Sequence, residues 1–581
     1  MNRILMTLML MALGVLSLSA NPNGVGSARL NLVEATIADL QKALQTRLVT
    51  SEQLVLMYLA RIEAYDTASL RRVDADGRTF YGLNSYLHIN ANAVDDARAI
   101  DAARPRGNIK QPLFGIPIVL KDNINTFNMP TTAGSVALSG SFPVTDAFIT
   151  QKLRAAGAII LGKATLTEFA NFLTNGMPAG YSSLGQYGYN AYDPRPDPRP
   201  LPTGDGRPVL TPGGSSSGSG IAVAANLAAV GIGTETSGSI LSPGTASMLV
   251  GVKPTVGLVS RDGIIPITAD QDIAGPLART VTDAAIVLGV IAGFDPNDPA
   301  TAACLEPGNC FDDYTQFLNT KALDGARIAV PPFPANRADI MNNAIDVLRA
   351  QGAYVELVGA LAPQLGGCNS AVYPPPEATP PALRCSTVLN YGFKRDLNAY
   401  FAAHVPANAP VKSLKDVIDF NAAHAADTPS SVKYGQALAL FSQMFDLSPN
   451  SADTLRYERD RAEDIVRSRG TLDAAYNGPD GLAETADDFD ALLFSGNSGA
   501  GTPAKAGYPS VVVPGGFFDN SNAAFPADFK PLPGPAGVTF SGRAFSEPHL
   551  LALAYAFEQA TRYRVPPSTT PPLPTDLVTR R

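Results

Sequence analysis

Two stretches near the start of the chain carry helix signals. Thr36-Ile-Ala-Asp39 and Thr50-Ser-Glu-Gln53 each place a hydroxyl three residues ahead of a side chain that can reach back to it. That is the capping-box arrangement that opens a helix. After the second, Leu54, Met57, Tyr58, Ile62 and Tyr65 recur at helical spacing and predict a face turned to the core. The period then shortens. Residues 114–120 are an apolar, β-branched run bounded by turn formers, which predicts a buried strand. A helix is expected from a cap at Thr145 to about Ala156, stopped by Gly157, with a strand over 158–161. Further on come a helix over 221–227, strands over 229–232 and 326–330, a helix over 341–350, and strands over 354–358 and 510–513. This alternation predicts an α/β layered fold, one large domain with a largely buried sheet covered by helices. No internal repeat and no clear linker interrupts it.

Some segments stand outside that pattern. Residues 1–20 begin with a positive charge at Arg3 and continue as an uncharged apolar run, ending in small residues. They read as a secretory signal peptide cut near Ser19 or Ala20. The alternative is an uncleaved anchor, but the run falls short of the ~20 residues of a membrane span. The mature chain is expected in the periplasm or outside the cell, with no membrane attachment after cleavage. The domain is expected over 30–565, and the Pro/Thr-rich tail 566–581 is expected to fray. Residues 192–212 contain seven prolines and predict an extended loop, which either shapes a substrate mouth or decorates the surface. The acidic segment 477–488 lacks the D-x-[DN]-x-[DN]-G spacing of a calcium loop and reads as a solvated loop.

Composition narrows the function classes. The chain has 581 residues, 45% of them apolar, and a net charge of −8 with no basic block. A core can be buried, and a nucleic-acid partner is not expected. Cys304, Cys310, Cys368 and Cys385 are the four cysteines. In an oxidising compartment an even number suggests two disulfides. Three pairings are possible, and proximity favours Cys304–Cys310 with Cys368–Cys385. Four free thiols are less compatible with their polar neighbours, and a zinc site lacks any Cys-x-x-Cys pair. His88, His404, His424 and His549 have no ligand spacing and read as surface or packing residues. No metal or cofactor is expected.

The densest chemistry lies in Gly213-Gly-Ser-Ser-Ser-Gly-Ser-Gly220 and Gly233-Thr-Glu-Thr-Ser-Gly-Ser239. Such runs let backbone amides approach a ligand closely. A flexible linker is one reading, but apolar segments flank both runs. A nucleophile elbow centred on Ser216 is another, but a proline-rich loop stands where its strand should be. A third reading joins the runs to Lys121, which follows the apolar run 114–120. A lysine at the end of a buried strand loses solvation, and its neutral form can act as a base. The plain alternative is a surface lysine paired with Asp122. Ser430-x-x-Lys433 imitates a serine–lysine catalytic pair but lacks the accompanying motifs.

Gly115-Ile-Pro-Ile-Val-Leu-Lys-Asp-Asn123, Gly213-Gly-Ser-Ser-Ser-Gly-Ser219 and Gly233-Thr-Glu-Thr-Ser-Gly-Ser-Ile240 together resemble the amidase signature family. Ser215 follows Lys121 by 94 residues and Ser239 follows Ser215 by 24, which fits the family. Gly251-Val-Lys-Pro-Thr-Val-Gly-Leu258, Gly275-Pro-Leu-Ala-Arg-Thr-Val-Thr-Asp-Ala284, Gly162-Lys-Ala-Thr-Leu-Thr-Glu-Phe169 and Gly507-Tyr-Pro-Ser-Val-Val-Val-Pro514 also match. Within the family the chain looks most like bacterial peptide amidases.

The resemblance implies a mixed sheet and a Ser–cisSer–Lys triad. Ser239 would be the nucleophile, Ser215 the relay after a cis Gly214–Ser215 bond, and Lys121 the base. Backbone N–H groups of Thr236, Ser237, Gly238 and Ser239 would form the oxyanion hole. Lys163 and Lys253 also lie in family motifs and read as structural. Many relatives carry glycine where Ser237 stands, a second glycine where Ser217 stands and arginine where Leu241 stands; none of these changes touches the triad. The implied activity is hydrolysis of a carboxamide, possibly a peptide C-terminal amide, to carboxylate and ammonia through an acyl-enzyme. The tRNA-dependent transamidation of some relatives is disfavoured by export. Alternatives are an arylamidase, esterase or lactam hydrolase with the same triad, or a non-catalytic binding protein on this scaffold.

Overall fold

The computed structural model describes residues 28–200, 205–368, 385–520 and 524–580. The signal-peptide expectation therefore lies outside the described residues. Both capping boxes form: Thr36 with Asp39 opens Ile37–Gln45, and Thr50 with Gln53 opens Ser51–Tyr65. The expected stripe of the second helix is buried throughout.

The centre is an eleven-stranded sheet. Its strands, in chain order, are β1 Tyr86–Ile89, β2 Pro117–Lys121, β3 Ile159–Ala164, β4 Val230–Glu235, β5 Val250–Lys253 and β6 Ile273–Ala278. Then follow β7 Arg327–Val330, β8 Tyr354–Leu357, β9 Ala491–Ser495, β10 Ser510–Phe518 and β11 Gly534–Ser541. Across the sheet they run β8-β7-β9-β11-β10-β5-β6-β4-β2-β3-β1. Pairing is mixed: β2 is parallel to β3 and β4, whereas β5, β6, β10 and β11 join antiparallel neighbours. Helices cover both faces, as strand alternation in β10 shows. Val511 and Val513 belong to the main core with Leu550 and Leu551 of helix Glu547–Thr561, while Val512 packs with Leu241 and Ala500.

Local boundaries moved where turn geometry competes with apolar pattern. Gly115 takes a positive φ of 71°, so Phe114 to Ile116 turn before β2 begins at Pro117. Thr145 does not cap the next helix, which spans Phe148–Ala155 after Ala147 and has no side-chain cap. The helix expected from 221 begins earlier, at Ser217, because the Ser/Gly run supplies its first turn.

The tail is the largest departure. Leu577–Arg580 pairs antiparallel with Ala28–Asn31, and Thr569, Thr570 and Asp576 are buried. Asp576 Oδ2 lies 2.5 Å from Arg61 Nη1, with both side chains sealed from solvent. Arg61 also donates to the carbonyls of Ala225, Asn226 and Thr570. The frayed tail expected over 566–581 is thus corrected for 566–580. Its composition suggests a loop, but composition carries no trace of a partner hundreds of residues away. Asp576→Ala leaves a buried guanidinium without its counter-charge and is expected to cost about 3–5 kcal/mol of unfolding free energy, read by urea titration. A loss under about 1 kcal/mol, the worth of an exposed pair, would mean the tail is not anchored this way.

Disulfides join Cys304 to Cys310 and Cys368 to Cys385, the pairings that proximity favours. The 477–488 segment is a mostly exposed turn whose carboxylates accept from its own backbone and Thr485. Among the described residues no helix is long and apolar enough to cross a membrane.

Candidate active site

Lys121 is the last residue of β2 rather than the residue after it, and it is 0% exposed. Its neighbour β4 runs parallel, with Leu120 opposite Ile232, which brings Thr234 alongside Lys121. Lys121 Nζ lies 2.7 Å from Ser215 Oγ, 2.9 Å from Thr234 Oγ1 and 3.1 Å from Thr234 O. Among the described residues no carboxylate pairs with it. Asp122, the plain partner expected from sequence, turns to the other side of the strand and pairs with Lys163 at 3.1 Å. Burial pulls the Lys121 pKa down to about 7, against the opposing pull of the Asp272 and Glu235 charges.

The serine run separates by partner. Ser216 Oγ is bound to Thr234 O at 3.1 Å and accepts from Thr234 N. Ser217 Oγ donates to Gly213 O and Ser219 Oγ to Ile232 O. These hydroxyls hold backbone, so the elbow reading of Ser216 has no support. Ser215 alone among them reaches an amine. The Gly214–Ser215 peptide is cis, as the family resemblance implies.

Ser239 sits in the turn between β4 and helix Leu241–Ala246 and is 7% exposed. Glu235 shapes that turn: its carboxylate accepts from Gly238 N and Ile240 N, each at 2.7 Å, and from Leu241 N at 3.0 Å. Gly238 adopts a φ of +80°, which favours glycine. The Gly238 N–H is therefore already engaged. This corrects the four-donor oxyanion hole and leaves Thr236, Ser237 and Ser239 as its candidates.

The other candidates are dispersed. Lys163 donates to Thr131 Oγ1 and Pro130 O, and Lys253 to Tyr508 O, so both tie chain segments together. Ser430 Oγ donates to Ala425 O, whereas Lys433 Nζ donates to Tyr187 OH and Asp205 O, so this pair does not form a unit. His424 and His549 rest on Phe420 O and Asp490. Burial lowers the pKa of His88. His404 Nε2 lies 3.3 Å from Asp262 Oδ1, and both line a cavity.

That cavity, of about 320 Å³, reaches the Thr234 and Thr236 wall of the site and is also lined by Asn123, Ile267, Asp272 and Tyr400. Asp272 accepts from Thr236 Oγ1, and burial raises its pKa to about 7. A second cavity, of about 290 Å³, lies beside Ser242, whose Oγ accepts from Gly214 N. Leu210 and Thr211 from the proline-rich loop line it, and Asp193, Arg195 and Asp197 of that loop are buried, so it is not a loose surface decoration. Sequence reasoning missed the roles of Thr234, Glu235, Asn123 and Asp272. Thr234 and Glu235 stood inside a recognised motif, where strand alternation could have assigned one to the lysine and the other to the turn.

Known proteins resemble this chain in sequence and in fold. A family model described as Amidase matches residues 78–374. A probable amidase of Arabidopsis thaliana is 35% identical over 552 residues, spanning 93% of each chain. The fold matches the crystal structure of peptide amidase from Stenotrophomonas maltophilia with a TM-score of 0.74 and 37% identity, covering 93% of this chain and 99% of that one. It also matches an amidase family protein from Bacillus anthracis, with a TM-score of 0.75 and 33% identity over 92% of this chain and 93% of that one.

Proposed function

Since this chain belongs to the amidase family and is an amide-hydrolysing enzyme, we propose that Ser239, Ser215 and Lys121 carry its chemistry and that a peptide C-terminal amide is its substrate. The observation that supports the triad most strongly is the buried Lys121 amine, with a pKa near 7, placed 2.7 Å from Ser215 Oγ. A neutral amine has two N–H donors and one lone pair. Thr234 O and Thr234 Oγ1 take the two donors. The lone pair is then left to accept the Ser215 hydroxyl proton.

In this reading the proton moves from Ser239 Oγ to Ser215 Oγ as that of Ser215 moves to Lys121. The Ser239 oxygen forms a bond to the carboxamide carbon, and the carbonyl oxygen gains negative charge. Backbone N–H groups of Thr236, Ser237 and Ser239 would stabilise that charge, each donor being worth about 10²–10³ in rate. Protonated Lys121 returns its proton through Ser215 to the leaving nitrogen, the C–N bond breaks, and ammonia departs. Water repeats the sequence on the acyl-enzyme and releases the carboxylate.

The substrate class rests on similarity to the Stenotrophomonas peptide amidase. Its test is ammonia release across peptide amides, aliphatic amides and aryl amides. Peptide C-terminal amides are expected to give the highest kcat/KM. Faster turnover of aliphatic or aryl amides would replace this substrate with that class. We also propose export, which the two disulfides support.

A further inference from the structure

Among the described residues, each carboxylate on the wall of the larger cavity is already engaged. Arg395 takes both oxygens of Asp396, at 2.6 and 2.9 Å. Asp298 accepts from Arg261 Nε at 2.7 Å. Asp272 accepts from Thr236 Oγ1 and from the N–H groups of Ile267 and Thr268, and burial raises its pKa to about 7. Asp262 faces His404 and keeps 22% of its side chain exposed to water. Much of the rest of the wall is apolar, with Ile264, Ile265, Ile267, Ala399, Ala403 and the Tyr400 ring. Such a cavity gains by burying methylene groups and loses by taking a charge out of water.

Asn123 supplies a polar exception. It lines the cavity and is 2% exposed. Its Nδ2 donates to Thr234 Oγ1 and to Ile265 O, each at 3.1 Å. A carbonyl only accepts, so the nitrogen must face Ile265 and the oxygen must face away. That Oδ1 has no hydrogen-bond partner. A buried acceptor left without a donor is costly, and an uncharged N–H satisfies it. In a peptide amide, the N–H nearest the scissile carbonyl on the acyl side belongs to the residue that bears that carbonyl.

We propose that this cavity takes the uncharged aliphatic side chain of the residue that bears the scissile amide, while Asn123 Oδ1 accepts that residue's own N–H. The cavity reaches the reacting centre through Thr234, which holds Lys121, and Thr236, three residues before Ser239. The inference rests on the amidase reading above and narrows its substrate class to acylated amides of aliphatic amino acids. A lysine or glutamate side chain would enter without a counter-charge. A glycine would leave the apolar wall uncovered, and a substrate without that N–H would leave Asn123 Oδ1 unpaired.

The test has two comparisons, both read by ammonia release. The first uses the N-acetyl amides of norleucine, glycine, lysine and glutamate. Norleucine is expected to exceed each of the others in kcat/KM by about tenfold or more. The second replaces the acyl N–H of the norleucine substrate with an ester oxygen, which offers no donor, and kcat/KM is expected to fall at least about tenfold. Asn123→Leu removes the acceptor and should move this amide-to-ester ratio toward one, whatever it does to the rate itself. If that variant misfolds, Asn123→Ala carries the same expectation. Norleucine no better than glycine, lysine or glutamate turned over as well as norleucine, an amide-to-ester ratio near one in wild type, or a ratio unmoved in the folded variant overturns the proposal. If no amide is turned over, the amidase reading fails on its own. Calorimetric binding of N-acetylnorleucine amide against N-acetylglycine amide to Ser239→Ala still decides the pocket: tighter norleucine binding supports it, and equal or weaker binding overturns it.

Discussion

Ser239→Ala is expected to lower kcat for a peptide amide by about 10³–10⁶-fold, because removing a catalytic nucleophile leaves only binding and oxyanion stabilisation. The loss should fall on kcat, since the variant keeps every backbone donor of the turn and the Glu235 contacts that shape it. KM should change little. The competing nucleophile is Ser237, which is exposed and lies two residues earlier. A fluorophosphonate probe followed by peptide mapping separates them: the adduct is expected on Ser239. An adduct on Ser237, or a Ser239→Ala variant that retains a tenth or more of its turnover, would remove Ser239 from the role.

The second large effect is at Lys121. Lys121→Ala is expected to lower kcat by about 10²–10⁴-fold, the range for loss of a positioned base. Substrate affinity should persist, measured as binding of the unreacted amide to the variant. Lys121→Arg is expected to be as inactive as alanine, since a guanidinium does not give up its proton at ordinary pH. A merely structural lysine would be rescued by arginine, so activity in that variant would contradict the base assignment.

Much of the site was legible in the chain because its chemistry is written locally. The two Gly/Ser runs and the lysine after an apolar run can be found without coordinates. What the sequence could not show was direction. Lys121 and Asp122 are adjacent, and only strand alternation sends one to Ser215 and the other to Lys163. Gly238 looked like a free donor, yet the Glu235 carboxylate three residues earlier takes its N–H.

The fold was legible in its α/β class, in the capped helices and in the strands with dense β-branched runs. Long elements with polar surfaces escaped notice. Helix Ala452–Tyr476 buries only a narrow stripe, Asp460, Asp464, Ser468, Leu472 and Tyr476, of which three members are polar. A hydrophobic periodicity cannot reveal a face held by buried polar contacts, such as Asp460 to Thr387 and Asp464 to Ser386. The tail escaped for the related reason that its anchor, Arg61, lies at the other end of the chain.

The account stands on Lys121 being an uncharged amine while it serves Ser239. The pH dependence of the fluorophosphonate labelling rate at Ser239 measures this without reference to any substrate. Labelling is expected to rise with pH around a midpoint near 7, the Lys121 value set by burial, to level off above it, and to lose this step in Lys121→Met. A rate that is flat from pH 6 to 9, or a step that survives in Lys121→Met, would contradict it.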